Sequence, residues 1–255
     1  MVKIGILGCT GRVGTILTSE LLSGDHSGIT LAGGTSRRAS DTHSFLVTDN
    51  PEKLMNDCDV AIDFTLPEAL QAHLEAAVKT NTALVIATTG LSNEQELAIQ
   101  GASRSVPIVY AANTSIGVTL LQSLVHTTAA SLGEEFDIEI VETHHKHKVD
   151  APSGTALALG KAAAKGRQVN LDDKAVYERC GHTGERKAGD IGFGTLRGGD
   201  VVGEHTVYFY GQGERIELTH RASDRSLFAK GALRAAKWLP EQQPGLYTMK
   251  DVLGL

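Results

Sequence analysis

Three histidines and two lysines occupy five consecutive positions, His144-His145-Lys146-His147-Lys148, and Val149-Asp150-Ala151-Pro152-Ser153-Gly154-Thr155-Ala156 follows directly. The run lies between an apolar strand pattern and a helix start. Backbone N–H groups in a first helical turn lack intrahelical partners and favour an anion. A histidine near its unperturbed pKa can donate a proton at neutral pH, and Lys148 adds a fixed positive charge. Ser153, Gly154 and Thr155 present hydroxyls and N–H groups at the helix start. Such a segment suits a site that holds a carboxylate or phosphate and moves a proton beside it. Two other readings compete. A solvated charged patch would need no ligand. A metal site is disfavoured, because His144, His145 and His147 lack i, i+4 spacing and two interleaved lysines would repel a cation.

A second constellation opens the chain. Gly8-Cys9-Thr10-Gly11-Arg12-Val13-Gly14 follows a strand-length apolar run and begins a helix. Glycines there permit a tight turn, close approach of backbone to a pyrophosphate, and helix–strand packing. The spacing is Gly-x-x-Gly-x-x-Gly, and a purely structural turn is the competing reading. At the end of the next strand stand Thr35-Ser36-Arg37-Arg38, with no carboxylate to accept from a ribose 2′-OH. Arginine suits a 2′-phosphate, so NADPH is favoured, with NADH left open and a solvated loop as the alternative. Thr88-Thr89-Gly90 and Ala111-Ala112-Asn113-Thr114-Ser115 end two later strands. They suit a nicotinamide ring or ordinary turn chemistry.

Positioning these groups requires alternating elements. Strands are predicted at 2–7, 29–33, 60–64, 84–87 and 106–110, with helices at 12–23, 67–79 and 94–103 between them. Short apolar strands alternating with helices imply a parallel sheet covered on both faces. A long helix over 115–132 follows. Strands at 136–143, 191–196, 201–210 and 215–221, with one helix at 155–165, then imply a mixed or antiparallel sheet. The last helix is predicted at 224–238, before a proline-punctuated tail, and the 181–190 loop is a candidate lid.

The 255 residues carry 24 Lys and Arg against 30 Asp and Glu, a net charge of −6 that argues against nucleic acid or an anionic membrane as partner. Positive charge is local, at Arg37-Arg38 and 144–148. Three scattered cysteines suggest neither disulfides nor a zinc site. With no signal-peptide pattern and no apolar run of about 20 residues, a soluble cytoplasmic protein is expected.

The Glu142–Ala156 segment closely resembles the signature of the dihydrodipicolinate reductases of bacterial lysine and diaminopimelate biosynthesis. The similarity extends through Asp63-Phe64-Thr65, Ala87-Thr88-Thr89-Gly90, Ala112-Asn113-Thr114-Ser115, 181–186, 202–206 and 220–225. It implies an α/β protein with an N-terminal doubly wound Rossmann domain on a parallel sheet, plus an α+β substrate domain with a mixed sheet. The expected division is 1–114 with 225–255 for the dinucleotide, and 115–224 for the substrate and oligomerisation, in a homotetramer. The implied reaction is NAD(P)H-dependent reduction of dihydrodipicolinate, a small dicarboxylate, to tetrahydrodipicolinate.

The resemblance makes His144 the proton donor and Lys148 a substrate-binding and acid residue, with His145, Ser153, Gly154 and Thr155 on the substrate. Gly11, Arg12 and Gly14 match pyrophosphate positions, within a cofactor loop of Gly8, Cys9, Thr10 and Val13. Ser36 and Arg37 fall at the adenosine ribose. Phe64, Thr65, Thr88 and Gly90, with Ala112, Asn113 and Thr114, complete the cofactor set. No metal is implied. Two positions depart from the family pattern. Members often have an acidic residue where Ser36 stands, and many have Phe where Thr114 stands. Other reductases of carboxylated imines, semialdehyde dehydrogenases and dinucleotide sensors are the alternatives; neither Cys58 nor Cys180 has the context of a catalytic cysteine.

Overall fold

A computed structural model describes residues 1–24, 26–38 and 44–255. The chain begins β1 (Val2–Leu7), α1 (Arg12–Ser23), β2 (Ile29–Thr35), β3 (Val47–Thr48), α2 (Pro51–Met55) and β4 (Val60–Asp63). It continues with α3 (Leu70–Thr80), β5 (Ala83–Ile86), α4 (Asn93–Ala102), β6 (Pro107–Tyr110) and α5 (Ile116–Leu132). Then come β7 (Asp137–His144), α6 (Gly154–Gly166), α7 (Leu171–Lys174), β8 (Ala175–Val176), β9 (Ile191–Arg197), β10 (Gly203–Tyr210) and β11 (Arg215–Ala222). The chain closes with α8 (Ser226–Trp238), β12 (Gly245–Tyr247) and α9 (Met249–Leu253).

The described residues form two compact units, 1–116 with 226–255, and 117–225. In the first, seven parallel strands run in the order β12-β6-β5-β4-β1-β2-β3. Alternation along each strand supplies two apolar faces. Ile4, Ile6, Val60, Ile62 and Val85 pack with α1 and α8 on one side. Leu7, Ala61, Leu84 and Ile86 pack with α2, α3 and α4 on the other. The strand order reverses at β1, whose neighbours are β2 and β4, so ligands belong at the carboxyl ends flanking β1.

The second unit is a mixed sheet ordered β11-β10-β7-β9-β8, with β10 antiparallel to both its neighbours and β7 parallel to β9. One face buries Ile138, Ile140, Val207 and Phe209 against Leu121 and Val125 of α5 and Leu159 and Ala163 of α6. Among the described residues, no helix is long and apolar enough to cross a membrane.

Periodicity locates the long elements to within a few residues. It misses β3, α2, α7, β8, β12 and α9, each no longer than five residues and so too short to show a period. The expected 67–79 helix begins instead with a 3-10 turn at Pro67–Ala69. The proline-rich tail is also more than a tail: β12 pairs with β6 at the sheet edge, Leu246 opposite Ile108.

Candidate functional site

Alternation along β7 sets the centre of the second unit. Ile138, Ile140, Glu142 and His144 all point to the buried face, so the apolar core passes directly into a carboxylate and an imidazole. Glu142 is 1% exposed. A buried carboxylate is costly unless its oxygens are bonded. Those of Glu142 are: Arg197 donates from both terminal nitrogens at 2.8 Å, Ser153 N–H donates at 3.0 Å, and His144 Nδ1 lies at 2.5 Å. Burial pushes the Glu142 pKa up, but Arg197, His144 and Ser153 together outweigh it and hold the carboxyl below its usual range. An ionised Glu142 can only accept, so Nδ1 carries a proton directed at it and Nε2 is the nitrogen left to face a ligand. A Cβ on Gly203 would come within 2.9 Å of that Nε2, so glycine there keeps the space open.

Around this dyad, β10 aligns His205 opposite Glu142. Its ring meets His144 edge-on with centroids 5.1 Å apart, and its Nε2 is 3.0 Å from Ser153 Oγ. Burial depresses the His205 pKa to about 4. Because this folded value lies below the unfolded one, near 6.5, the unfolded chain binds the proton more readily. Stability is therefore full above about pH 6.5 and is lost as pH falls towards 4, by about 3 kcal/mol from this group. Urea unfolding at pH 7 and pH 4 should show the loss, and His205→Phe should shrink it; an equal acid loss in that variant would clear His205 of the effect.

Ser153 caps α6 by accepting from Ala156 N–H at 3.2 Å. Exposed Gly154, with open space where a side chain would sit, and half-buried Thr155 form the first turn beside it. Lys148 Nζ pairs with Asp150 at 2.8 Å. Some burial and the nearby charges of Arg225, His144, His147 and Lys148 lower the pKa of His145. Lys146 and His147 are exposed. The arrangement is an imidazole, oriented by a buried carboxylate, next to cations and a helix N-terminus. The 181–190 loop is tied down at Arg186, which bonds Asp137 at 2.7 Å, Glu139 at 3.1 Å and the carbonyl of Ile138 at 3.1 Å.

In the first unit the glycine turn sits at the carboxyl end of β1. Gly8 has φ +77°, and a Cβ on Gly14 would lie 2.2 Å from the Gly8 carbonyl oxygen. Gly11 caps α1 without a side-chain bond, leaving first-turn N–H groups for an anion. Gly8 N–H donates to Thr35 Oγ1 at 3.1 Å, and Thr10 Oγ1 lies 3.3 Å from Ser36 Oγ, which ties the turn to the end of β2. Arg12 and Arg37 are exposed, Val13 is half-buried, and Phe64 packs on the core from the end of β4. Thr65, Thr88, Gly90, Ala112 and Asn113 sit at or just beyond the carboxyl ends of β4, β5 and β6.

Three residues expected at the sites have partners within the protein. The Cys9 thiol is buried against Gly34, and its N–H already donates to the Thr35 carbonyl. Thr114 is 1% exposed and donates its hydroxyl to the Phe228 carbonyl at 2.7 Å. The Ser153 hydroxyl is engaged by the cap and by His205. Each of these side chains thus serves the local packing as well as standing in a loop motif.

Conversely, Glu142, Arg197 and His205 escaped notice as site residues. For Glu142 a signal existed, since a carboxylate in phase with Ile138 and Ile140 must have partners. Arg197 and His205 come from other strands and carry no local signal.

The chain is similar to known proteins over its whole length. The model of the dihydrodipicolinate reductase N-terminus matches residues 2–114, and that of its C-terminus matches 117–253. A 4-hydroxy-tetrahydrodipicolinate reductase of Zymomonas mobilis is 48% identical over 254 residues, covering 100% of this chain and 98% of the relative. One from Sulfurimonas denitrificans is 49% identical over 256 residues, covering 99% of each. The solved dipicolinate-bound dihydrodipicolinate reductase from Paenisporosarcina sp. TG-14 shares the fold, with a TM-score of 0.80 at 23% identity and 97% coverage of both chains. By both halves and by its full-length relatives, the chain belongs to the dihydrodipicolinate reductase family.

Proposed function

We propose that this chain is an NAD(P)H-dependent 4-hydroxy-tetrahydrodipicolinate reductase of lysine biosynthesis, with NADPH favoured over NADH. The reading rests above all on the Glu142–His144 dyad beside the capped start of α6, in a chain of this family. The substrate is dihydrodipicolinate, formed by dehydration of its hydroxylated precursor. Its carboxylates are held by Lys148, His145 and the Gly154-Thr155 turn. Lys148 exchanges its Asp150 partner for a substrate carboxylate at little cost, since an ion pair open to water at its Asp150 end contributes little.

A nicotinamide held at the strand ends of the first unit would supply a hydride to ring C4 of the unsaturated imine. The added electron pair moves through the conjugated system onto nitrogen and the adjacent ring carbon, and that carbon takes a proton from His144 Nε2. In giving up the Nε2 proton the imidazolium becomes a neutral imidazole that keeps its Nδ1–H on Glu142, which holds the ring's orientation. Dinucleotide binding is assigned to residues 1–114 and 225–255, around a turn whose Gly8 and Gly11 leave room for a pyrophosphate. Substrate binding and assembly into a homotetramer are assigned to 115–224. The long edge strand β11, with Ile216 37% exposed, supports an assembly face there.

The test couples dehydration of 4-hydroxy-tetrahydrodipicolinate to oxidation of NADPH or NADH, followed by cofactor absorbance. Turnover with both and a higher kcat/KM for NADPH is expected, and Arg37→Ala should erode that preference. No oxidation of either cofactor would sink the assignment.

A further inference from the structure

We propose that His73 is a positioning residue for the dinucleotide site, acting through Asp63 on Thr65 and Thr88. The inference rests on the reading that the strand ends of the first unit hold NAD(P)H. Asp63, the last residue of β4, is fully buried, and His73 on α3 is 7% exposed. Asp63 Oδ2 accepts from His73 Nδ1 at 2.7 Å. Its other oxygen accepts from Thr65 N–H at 2.8 Å, from Thr65 Oγ1 at 2.6 Å and from Thr88 Oγ1 at 3.4 Å. One carboxylate thus joins the ends of β4 and β5 to a helix behind them.

A turn at the end of β4 needs only the Thr65 bonds, which close locally. The histidine is additional, and it sits on the apolar face of α3 among Leu70, Leu74 and Ala77. A leucine-like residue would pack there without needing a polar partner, whereas the imidazole needs the Asp63 bond. Its bond to Oδ2 sets the rotation of the carboxylate, and that rotation decides where Oδ1 presents itself to Thr65 and Thr88. Thr65 in turn touches the glycine turn: its Cγ2 would lie 2.9 Å from a Cβ on Gly8. His73 touches no ligand in this scheme. It steadies the two threonines beyond the ends of β4 and β5, one of which abuts the glycine turn, so it should act on cofactor affinity and not on the proton transfer by His144.

The experiment compares His73→Leu, His73→Gln and His73→Asn by NADPH fluorescence titration, steady-state kinetics and thermal unfolding. Asparagine places an N–H near the position of Nδ1, whereas glutamine displaces it and leucine removes it. Leu and Gln should each weaken NADPH binding about tenfold, the scale of losing a hydrogen bond to a charged group. The KM for dihydrodipicolinate and kcat at saturating NADPH should stay within about twofold, and Asn should restore most of the affinity. Combining His73→Leu with Thr65→Val should cost less than the sum of the two, because both act through Asp63.

Wild-type NADPH affinity in the Leu and Gln variants would overturn the proposal. So would an Asn variant no better than Gln, or losses in substrate KM and kcat that match the loss of affinity. If the leucine variant does not fold, the Gln and Asn comparison decides by the same criterion. Failure of the wild-type protein to bind either dinucleotide would instead remove the cofactor reading itself, a result separable from any effect of His73.

Discussion

Replacing His144 by glutamine should lower kcat about 10²- to 10⁴-fold while NADPH still binds with wild-type affinity. Glutamine keeps a polar side chain of similar reach beside Glu142, but its amide cannot give up a proton at neutral pH. His144 is the imidazole aligned by the buried carboxylate, and Gly203 leaves the space in front of its Nε2 open. Hydride addition without a proton donor leaves the electron pair on the substrate, so the barrier rises by the part of the charge that His144 would have neutralised. Single-turnover oxidation of bound NADPH separates this chemistry from product release. Near-normal turnover in His144→Gln would remove the acid assignment. A dinucleotide sensor would keep its cofactor response and show no turnover even in the wild type.

Glu142→Gln should both destabilise the second unit and slow the reaction. In the native protein the carboxylate receives both terminal nitrogens of Arg197, the Ser153 N–H and His144 Nδ1 at 1% exposure. Glutamine has one acceptor oxygen, and its amide group would direct N–H towards other donors. It also leaves the Arg197 guanidinium without its counter-charge. Removing one partner of a buried pair costs about 3–5 kcal/mol, and partial access of Arg197 to water places this variant towards the lower end. The urea midpoint should fall accordingly. Turnover should fall at least about tenfold in the fraction that remains folded, because the imidazole loses its tautomer lock and its orientation. Unchanged stability with unchanged kcat would show that the carboxylate carries neither role.

The contrast between these two residues shows how far the linear chain can be read. His144 stands out because its neighbours in sequence are chemically unusual. Glu142 stands out only weakly, by phase with Ile138 and Ile140. Arg197 and His205, which complete the same group, lie on β9 and β10, more than 50 residues beyond His144. The glycine turn behaves similarly. Its spacing and its place between a strand and a helix are visible in order, whereas the stitching of Gly8 to Thr35 and of Thr10 to Ser36 exists only once β2 lies beside β1.

What the sequence by itself determined is the alternation of strands and helices, the two chemically loaded segments, and the family that both resemble. These follow from periods of two and about 3.6 residues and from local turn chemistry, all readable within a short window. What only the tertiary structure decided is which polar atoms are spent internally. Cys9, Thr114 and Ser153 lie in motif positions, yet their side chains satisfy the fold, while Glu142, Arg197 and His205 assemble around His144 from three strands. Cross-strand register and the requirement that buried polar groups be paired are long-range conditions, and no local pattern expresses them.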